Sequence, residues 1–210
     1  MSQLDNLDFV HLHVHSEYSL VDGIIRVDEA GRGPIAGPVF AAAVILGKKH
    51  SISNLNDSKK ISEKRRELIA EDIKVNAISW SIGMSTAKEI DDINILRASL
   101  LAMRRAIDGL DMKPDLISVD GQFSPETDLK VRTIIKGDQS NENIMAASIL
   151  AKVYRDNYMK ELDNSFPEYG FKQNKGYPTK MHLEALESYG ITLEHRLSFR
   201  PVKNIHESTR

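Results

Sequence analysis

Three apolar runs in this sequence each lead into an aspartate that lies beside or near a glycine. Ile24–Val27 precedes Asp28, Leu116–Val119 precedes Asp120, and Val131–Ile135 ends shortly before Asp138. Short apolar runs bounded by glycine predict β-strands. Open α/β sheets place their ligand crevices at the carboxyl ends of strands, where these acids would lie. The pattern therefore predicts an α/β fold with a polar site at one edge of its sheet.

The first of these acids belongs to the stretch Val27–Pro34, which reads Val-Asp-Glu-Ala-Gly-Arg-Gly-Pro. Neighbouring side chains of a regular strand point to opposite faces, so Asp28 and Glu29 can serve one site only if the strand ends or bulges there. The two glycines that follow provide the freedom for such a bend, and the arginine between them suits a phosphate. An acidic surface turn is the alternative.

Periodicity predicts the remaining elements. Further strands are expected at Pro38–Leu46 and Ala77–Met84, and helices at Ser62–Val75, Ile93–Leu110, Asn143–Asp163 and Thr179–Tyr189. The expected inner face of the first helix contains Leu68, Ile69 and Ile73. Ala98, Ala102 and Ala106 form a small-residue stripe that would allow the second helix to pack closely on a sheet. The segment from Leu197 to Arg210 is predicted to be irregular.

Composition limits the class of protein. The chain has 210 residues, 41% of them hydrophobic, which suits one domain with a substantial core. It has no cysteine, which excludes disulfides and thiolate-bound zinc and favours a reducing compartment, so we expect a cytoplasmic protein. The longest apolar run, Val39–Leu46, is too short to span a bilayer, and no membrane partner is expected. The net charge of −2 does not exclude nucleic acid, because catalytic acids would mask a local basic surface.

The carboxylates could form a metal site if the fold brings them together. Converging like charges are costly unless cations neutralise them. Oxygen ligands without histidine or cysteine favour Mg²⁺ or Mn²⁺, and two such ions can drive hydrolysis of a phosphodiester. The alternative, which spacing alone favours, is that Asp120 and Asp138 are turn residues next to Gly121 and Gly137.

Residues 1–23 follow a different pattern. The segment resembles the opening of the PHP (polymerase and histidinol phosphatase) domain of bacterial replicative DNA polymerase III α subunits, whose His-x-His pair corresponds to His13 and His15. The later ligand motifs of that domain are not found in this chain, and metal sites need three or four ligands. We therefore interpret the segment as a non-functional leader; a PHP-type phosphoesterase or polymerase fragment is the alternative.

From Ile24 to Val202 the chain resembles bacterial ribonuclease HII, the type 2 ribonuclease H. Six motifs that appear in the order of that family carry the resemblance: Asp28–Pro34, Asn56–Lys60, Val119–Gly121, Lys136–Asp138, Ala146–Asp156 and Lys175–Thr179. The resemblance implies a ribonuclease H-like mixed five-stranded sheet flanked by helices, with a C-terminal helical portion. It also implies a catalytic domain at 24–202 and a tail at 203–210.

The function that this resemblance implies is endonucleolytic hydrolysis of RNA in RNA–DNA hybrids, in DNA replication and repair. Cleavage would include the bond 5′ to a single ribonucleotide in duplex DNA and would leave a 3′-hydroxyl and a 5′-phosphate. The protein would act as a monomer. The family's catalytic, metal-binding acids correspond to Asp28, Glu29, Asp120 and Asp138, which would hold two Mn²⁺ or Mg²⁺ ions.

The resemblance also assigns substrate-binding residues. They are Gly31, Arg32 and Gly33 for the 2′-hydroxyl and phosphate at the ribonucleotide, Tyr177 for its sugar, Lys59 and Lys60 for backbone phosphates, and Ser148 and Lys152 for the nucleic-acid strand. Only a glycine backbone approaches a 2′-hydroxyl closely enough, which agrees with these roles. The alternatives are that Tyr177 packs a loop and that the lysines are solvated surface residues.

Two further readings stay open at this point. Ribonuclease HIII shares the fold, but its glycine motif usually carries lysine where this chain has Arg32, and it has a longer N-terminal domain. The second alternative is a nucleic-acid-binding protein that has no catalytic activity. In that case the leader, or Arg26, which stands where the family usually has a small residue, would have disrupted the active site.

Overall fold

The computed structural model describes residues 24–47, 60–112, 116–135 and 142–208, together with Ile52, Leu55, Asn56 and Ser58. A five-stranded sheet with the order β3-β2-β1-β4-β5 forms its centre. The strands are β1 (Ile24–Ala30), β2 (Val39–Leu46), β3 (Ala77–Ser85), β4 (Leu116–Asp120) and β5 (Lys130–Ile134). The predicted strands agree with these bounds to within a few residues.

The sheet is mixed, as predicted. Strand β2 pairs antiparallel with both β1 and β3, whereas β4 pairs parallel with β1 and with β5. Strand β2 is buried along its whole length, because helices cover both faces of the sheet at that point. Because β1 and β4 are parallel neighbours, their carboxyl ends reach the same edge of the sheet.

Seven α-helices accompany the sheet in the described part of the chain. They are α1 (Glu63–Asn76), α2 (Ala87–Ile93), α3 (Ile95–Asp108), α4 (Glu142–Ser165), α5 (Phe171–Asn174), α6 (Lys180–Tyr189) and α7 (Arg200–Ser208). None of these helices is long and apolar enough to cross a membrane.

Helix α3 packs on one face of the sheet through its small-residue stripe. Ala98, Ala102 and Ala106 are fully buried. A Cβ on Gly83 of β3 would overlap the backbone of Ala102 and Ala106, so glycine and alanine together allow the close approach. The predicted role of the stripe is confirmed.

The single predicted helix at Ile93–Leu110 is wrong at its start. Asn94 has a φ of 68° and separates α2 from α3. Its side-chain oxygen accepts hydrogen bonds from the backbone N–H of Leu96 at 3.0 Å and of Arg97 at 3.1 Å. The chain therefore begins a new helix there, because asparagine tolerates positive φ and caps the next turn.

Helices α1 and α4 cover the opposite face. Ala42 and Val44 of β2 point to that face, while Ala41 and Ala43 point towards α3, as the period of a strand requires. The predicted inner face of α1 is correct for Ile69 and Ile73, which are buried, but wrong for Leu68, which is 66% exposed.

The C-terminal part packs against the end of α4 and forms a hydrophobic cluster separate from those on the two faces of the sheet. It contains Ile35, Met159, Phe171, Leu186 and Val202 among its buried members. The prediction of an irregular tail from Leu197 onwards is wrong, since α7 occupies Arg200–Ser208 and buries Val202 completely.

Candidate active site

A cavity opens where β1 and β4 separate. The parallel ladder between them runs from Ile24 opposite Leu116 to Val27 opposite Val119 and ends there. Asp28 and Asp120 are the next residues of the two strands. Because the strands are parallel neighbours, both carboxylates project at the same edge of the sheet, as the sequence predicted.

This cavity has a volume of about 360 Å³. Its lining brings together most of the predicted site residues with three others, and consists of Asp28, Glu29, Ala30, Gly31, Arg32, Gly33, Ser58, Asp120, Ser148, Lys152, Arg155 and Tyr177. A larger cavity, of about 610 Å³, lies between the end of α3 and residues 126–129. It contains none of the predicted residues, so chemistry rather than size identifies the candidate site.

Asp28 and Glu29 reach this cavity without the predicted bend. Strand β1 continues to Ala30 in regular register with β2, with Asp28 opposite Ala42 and Glu29 opposite Ala41. The two side chains therefore leave opposite faces of the strand. Both can line one cavity because the ladder to β4 has already ended, so the open edge is reached from either face.

Burial and like charges dominate the electrostatics of Asp28. Its side chain lies among buried residues with only 5% of the residue exposed. Burial first, and then the neighbouring carboxylates of Glu29 and Asp120, raise the pKa of Asp28 well above its ordinary value. The backbone N–H of Glu29 donates to its Oδ1 at 2.7 Å and opposes that rise, as does Ser148.

Glu29 shares this environment. Burial raises the pKa of Glu29, Arg32 lowers it, and Asp120 raises it further. The opposing guanidinium lies 3.5 Å from the carboxylate and is half-exposed, so it compensates only in part. The described acids thus repel one another in the absence of a cation.

Asp138, the fourth predicted ligand, lies outside the described residues. Within the residues that the structure does describe, no three His, Cys, Asp or Glu side chains form a group that could hold a metal ion. The oxygen-only donors at the cavity nevertheless suit a hard divalent cation, because its charge would relieve their mutual repulsion.

The glycine loop, which consists of residues 31–37, forms a second side of the cavity. Gly31 has a φ of 104°, and a Cβ there would overlap the side chain of Arg155. A Cβ on Gly33 would lie 3.3 Å from the ring of Tyr177, which is 47% exposed. Glycine is therefore needed at Gly31, and at Gly33 it allows close contact with the ring of Tyr177.

Helix α4 supplies a polar wall. Ser148 and Lys152 both line the cavity, as their i, i+4 spacing predicted. The hydroxyls of Ser148 and Ser58 lie 2.8 Å apart, and Lys152 donates to buried Asp156 at 2.6 Å. Burial lowers the pKa of Lys152. Lys60 is exposed, and Lys59 lies outside the described residues.

Comparison with known proteins decides the family. The family model described as Ribonuclease HII matches residues 25–202. The chain is 50% identical to ribonuclease HII of Vibrio parahaemolyticus over 186 residues, which cover 89% of this chain and 87% of that protein. The chain belongs to the ribonuclease HII family. It is accordingly a type 2 ribonuclease H, an endonuclease that acts on RNA in RNA–DNA hybrids.

Solved structures agree with this assignment. The crystal structure of ribonuclease H2 from Pyrococcus horikoshii has a TM-score of 0.74 and 27% identity, covering 88% of this chain and 97% of that one. A structure of Bst-RNase HIII in complex with Mn²⁺ has a TM-score of 0.70 and covers 89% of this chain and 70% of that one. At 18% identity that second likeness concerns the fold alone.

Sequence reasoning missed three functional candidates in this member of the family. Ser58 and Arg155 line the cavity, and Arg196 holds its glycine loop from behind. Arg155 follows Ser148 and Lys152 at helical spacing, so its position on the same face of α4 could have been predicted. Nothing comparable in the sequence marked Arg196.

Arg26, the departure from the family pattern, is accommodated within the sheet. It lies in β1 opposite Ser118 of β4 and donates to that hydroxyl at 2.9 Å. The strand keeps regular pairing with β2 on its other side.

Proposed function

We propose that this cavity is the catalytic site and that Asp28, Glu29, Asp120 and Asp138 bind two Mn²⁺ or Mg²⁺ ions there. The observation that supports this most is the buried, mutually repelling set of carboxylates at the ends of two adjacent parallel strands. A neutralising cation would stabilise such a set by relieving the repulsion. Oxygen ligands favour these hard divalent ions over zinc.

When bound, the ions would supply activation of water and neutralisation of charge on a phosphodiester. The protein side chains would do the positioning. Asp28 is held by the N–H of Glu29 and by Ser148. Arg32, close to Glu29 and half-exposed, is free to turn towards a phosphate.

We propose that the glycine loop and Tyr177 recognise the ribonucleotide. Gly31, Arg32 and Gly33 would present their backbone to the 2′-hydroxyl and adjacent phosphate, and the Tyr177 ring beside Gly33 would pack against the sugar. Lys59, Lys60, Ser148 and Lys152 would contact the nucleic-acid backbone. Cleavage would then occur 5′ to the ribonucleotide, including a single one in duplex DNA, leaving a 3′-hydroxyl and a 5′-phosphate.

The test uses a DNA duplex that contains one ribonucleotide, incubated with Mn²⁺ or with EDTA. An all-DNA duplex of the same sequence is the control. We expect one cut, on the 5′ side of the ribonucleotide, only when both the ribonucleotide and the metal are present. Cutting of the all-DNA control, or cutting that persists in EDTA, would contradict the proposal.

We further propose that the catalytic domain covers 24–202, with residues 1–23 as a leader that it does not need. Residues 203–210 would be a tail that begins within α7. Deleting residues 1–22 should leave the cleavage rate unchanged. A tenfold fall at constant folded fraction would instead favour a role for His13 and His15. We propose that the protein acts as a monomer and that it has a cytoplasmic location, which the absence of cysteine favours.

A further inference from the structure

Arg196 is fully buried behind the glycine loop and binds it through several carbonyl oxygens. Its guanidinium donates to the carbonyls of Gly31 at 2.7 Å, Arg32 at 3.1 Å, Pro34 at 2.6 Å and Gly37 at 2.9 Å. One side chain thus fixes the loop along its whole length. Arginine suits this task because its planar fork presents five donors in fixed directions.

The segment that carries Arg196 is itself fixed to the loop. The N–H of Arg196 donates to the carbonyl of Ile35 at 2.9 Å, and the N–H of Gly37 donates to Glu194 at 2.8 Å. On the other side, Asp91 of α2 accepts from the N–H groups of Leu197 and Ser198, both at 2.8 Å. The guanidinium is therefore held in place from two directions.

The charge of Arg196 is solvated by peptide dipoles. The four hydrogen bonds described above all end on carbonyl oxygens, and Asp91, a nearby carboxylate, already accepts from the backbone. Burial, with the neighbouring charge of Arg155, lowers the pKa of Arg196 to about 9. A cation placed at the oxygen end of these peptides polarises them, which makes their N–H groups stronger donors.

Peptide geometry gives the direction of those N–H groups. In a planar trans peptide the carbonyl of one residue points opposite to the N–H of the next. Because the carbonyls of Gly31 and Arg32 point inward to Arg196, the N–H groups of Arg32 and Gly33 point outward. Both of these residues are exposed and line the cavity.

We infer that Arg196 is a positioning residue for substrate discrimination: it orients and polarises the N–H groups of Arg32 and Gly33 that receive the ribose 2′-hydroxyl and adjacent phosphate. This inference rests on the proposed function of the glycine loop. It assigns a role in the selection of RNA over DNA to Arg196, a fully buried side chain that does not line the cavity.

The test is the ratio of two affinities, measured in EDTA so that no hydrolysis occurs. One duplex contains a single ribonucleotide, and the other is the same sequence entirely in DNA. We expect Arg196→Lys to lower this ratio by about tenfold, because lysine cannot replace several directed hydrogen bonds to the loop. Since both duplexes are bound by the same folded molecules, partial unfolding leaves the ratio unchanged.

Val202→Ala is the matched control, because it removes buried methyl groups from the same C-terminal cluster and donates nothing to the loop. It should keep the wild-type ratio. If Arg196→Lys is folded and also keeps that ratio, or weakens both duplexes equally, the inference is wrong.

Asp91→Ala is the variant to use if Arg196→Lys does not fold. It loosens the segment that holds Arg196 and should lower the ratio by about threefold, less than Arg196→Lys because the direct hydrogen bonds from Arg196 to the loop remain; an unchanged ratio would overturn the inference. If the wild-type protein cleaves but binds both duplexes equally, the proposal that the glycine loop recognises the ribonucleotide is wrong. Absence of cleavage would contradict the proposed function as a whole.

Discussion

The two sides of the cavity have opposite electrostatic designs. On the acidic side, which consists of Asp28, Glu29 and Asp120, burial and then neighbouring carboxylates raise the pKa of Asp28 and of Glu29. On the clamped side, which consists of the loop 31–37 with Arg155 and Arg196, buried cations are satisfied by backbone carbonyls. The protein does not balance the negative charges of the acidic side, whereas it satisfies the cations of the clamped side with its own hydrogen bonds.

This difference assigns a different task to each side. Uncompensated like charges destabilise the folded state and gain from a bound cation, so the acidic side suits catalysis. A loop fixed by many hydrogen bonds keeps its shape whether or not substrate is present, so the clamped side suits recognition. Changes on the acidic side should therefore affect turnover, and changes on the clamped side should affect selectivity and stability.

The largest effect is expected from Asp28→Asn or Asp120→Asn. Each change keeps the side-chain shape but removes a charge that would hold the cation, so cleavage should fall by roughly 100- to 1,000-fold. Initial rates on the single-ribonucleotide duplex at saturating Mn²⁺ measure this. Asp108→Asn, on exposed α3 surface, is the control and should retain full activity.

An unfolding curve from the same preparation separates lost chemistry from lost structure. If a folded Asp28→Asn or Asp120→Asn variant kept more than a few per cent of the wild-type rate, the assignment of the acidic side would be wrong.

A buried histidine pair next to the clamped side, His182 and His195, should make stability fall in acid. His182 Nδ1–H donates to the carbonyl of Tyr177 at 2.9 Å, so its Nε2 accepts from His195 Nε2–H at 3.0 Å. The Nδ1 of His195 then accepts from the N–H of Thr192 at 3.0 Å. Both rings must be neutral for this chain of bonds to exist.

Burial, followed by the charge of His182, lowers the pKa of His195 to about 4 from 6.5. The unfolded state therefore binds protons more readily, and stability falls as pH drops from 6.5 to 4, by on the order of 3 kcal/mol. Denaturant unfolding at several pH values measures this loss. His195→Gln should flatten the curve and His206→Gln, on α7, should not; equal curves for all three proteins would contradict the assignment.

Local patterns were enough to predict that Asp28 and Asp120 lie at one edge of the sheet, whereas their choice as metal ligands, together with Glu29, rested on the family resemblance. Asp28 and Asp120 follow apolar runs, and parallel neighbours bring such positions together. The packing of α3 was likewise predictable, because Ala98, Ala102 and Ala106 recur every four residues. In both cases the information lies in the period of one strand or helix.

The clamped side could not be predicted in this way. Arg196 acts on carbonyl oxygens, which every residue possesses, so no sequence pattern marks its partners. The break at Asn94 and the exposure of Leu68 depend on how the helices meet the sheet. Adjacent helical residues differ by about 100° in direction, so periodicity cannot assign both Leu68 and Ile69 to one face with certainty.

Tyr177→Ala should produce a smaller, selective effect. The ring is half-exposed beside Gly33, where it would pack against the sugar of an isolated ribonucleotide. We expect a roughly tenfold loss on the single-ribonucleotide duplex, since an aromatic contact with nucleic acid contributes about 1–3 kcal/mol. The loss on a long hybrid, which offers several registers, should be smaller. Tyr189→Ala, on exposed α6 surface, is the control; equal losses on both substrates would mean that Tyr177 packs the loop instead.

The smallest expected effect is a gain in stability for Asp28→Asn without metal. Because the pKa of Asp28 is raised in the folded protein, the folded state takes up a proton more readily than the unfolded one. Ionised Asp28 therefore costs stability as pH rises above the unfolded pKa of about 3.8 and through the folded pKa. Asparagine carries no charge, so the variant should be more stable than wild type at pH 7 in EDTA, by on the order of 1 kcal/mol.

Two further conditions separate this electrostatic effect from a change in packing. Well below the unfolded pKa of about 3.8, Asp28 is protonated in both states, so the difference between the proteins should disappear. Saturating Mn²⁺ at pH 7 should reverse it, because the intact acidic side binds the ion more tightly and gains more stability from it. A variant that is less stable than wild type in EDTA at pH 7 would show that Asp28 contributes more through its hydrogen bonds to Glu29 and Ser148 than it costs through repulsion.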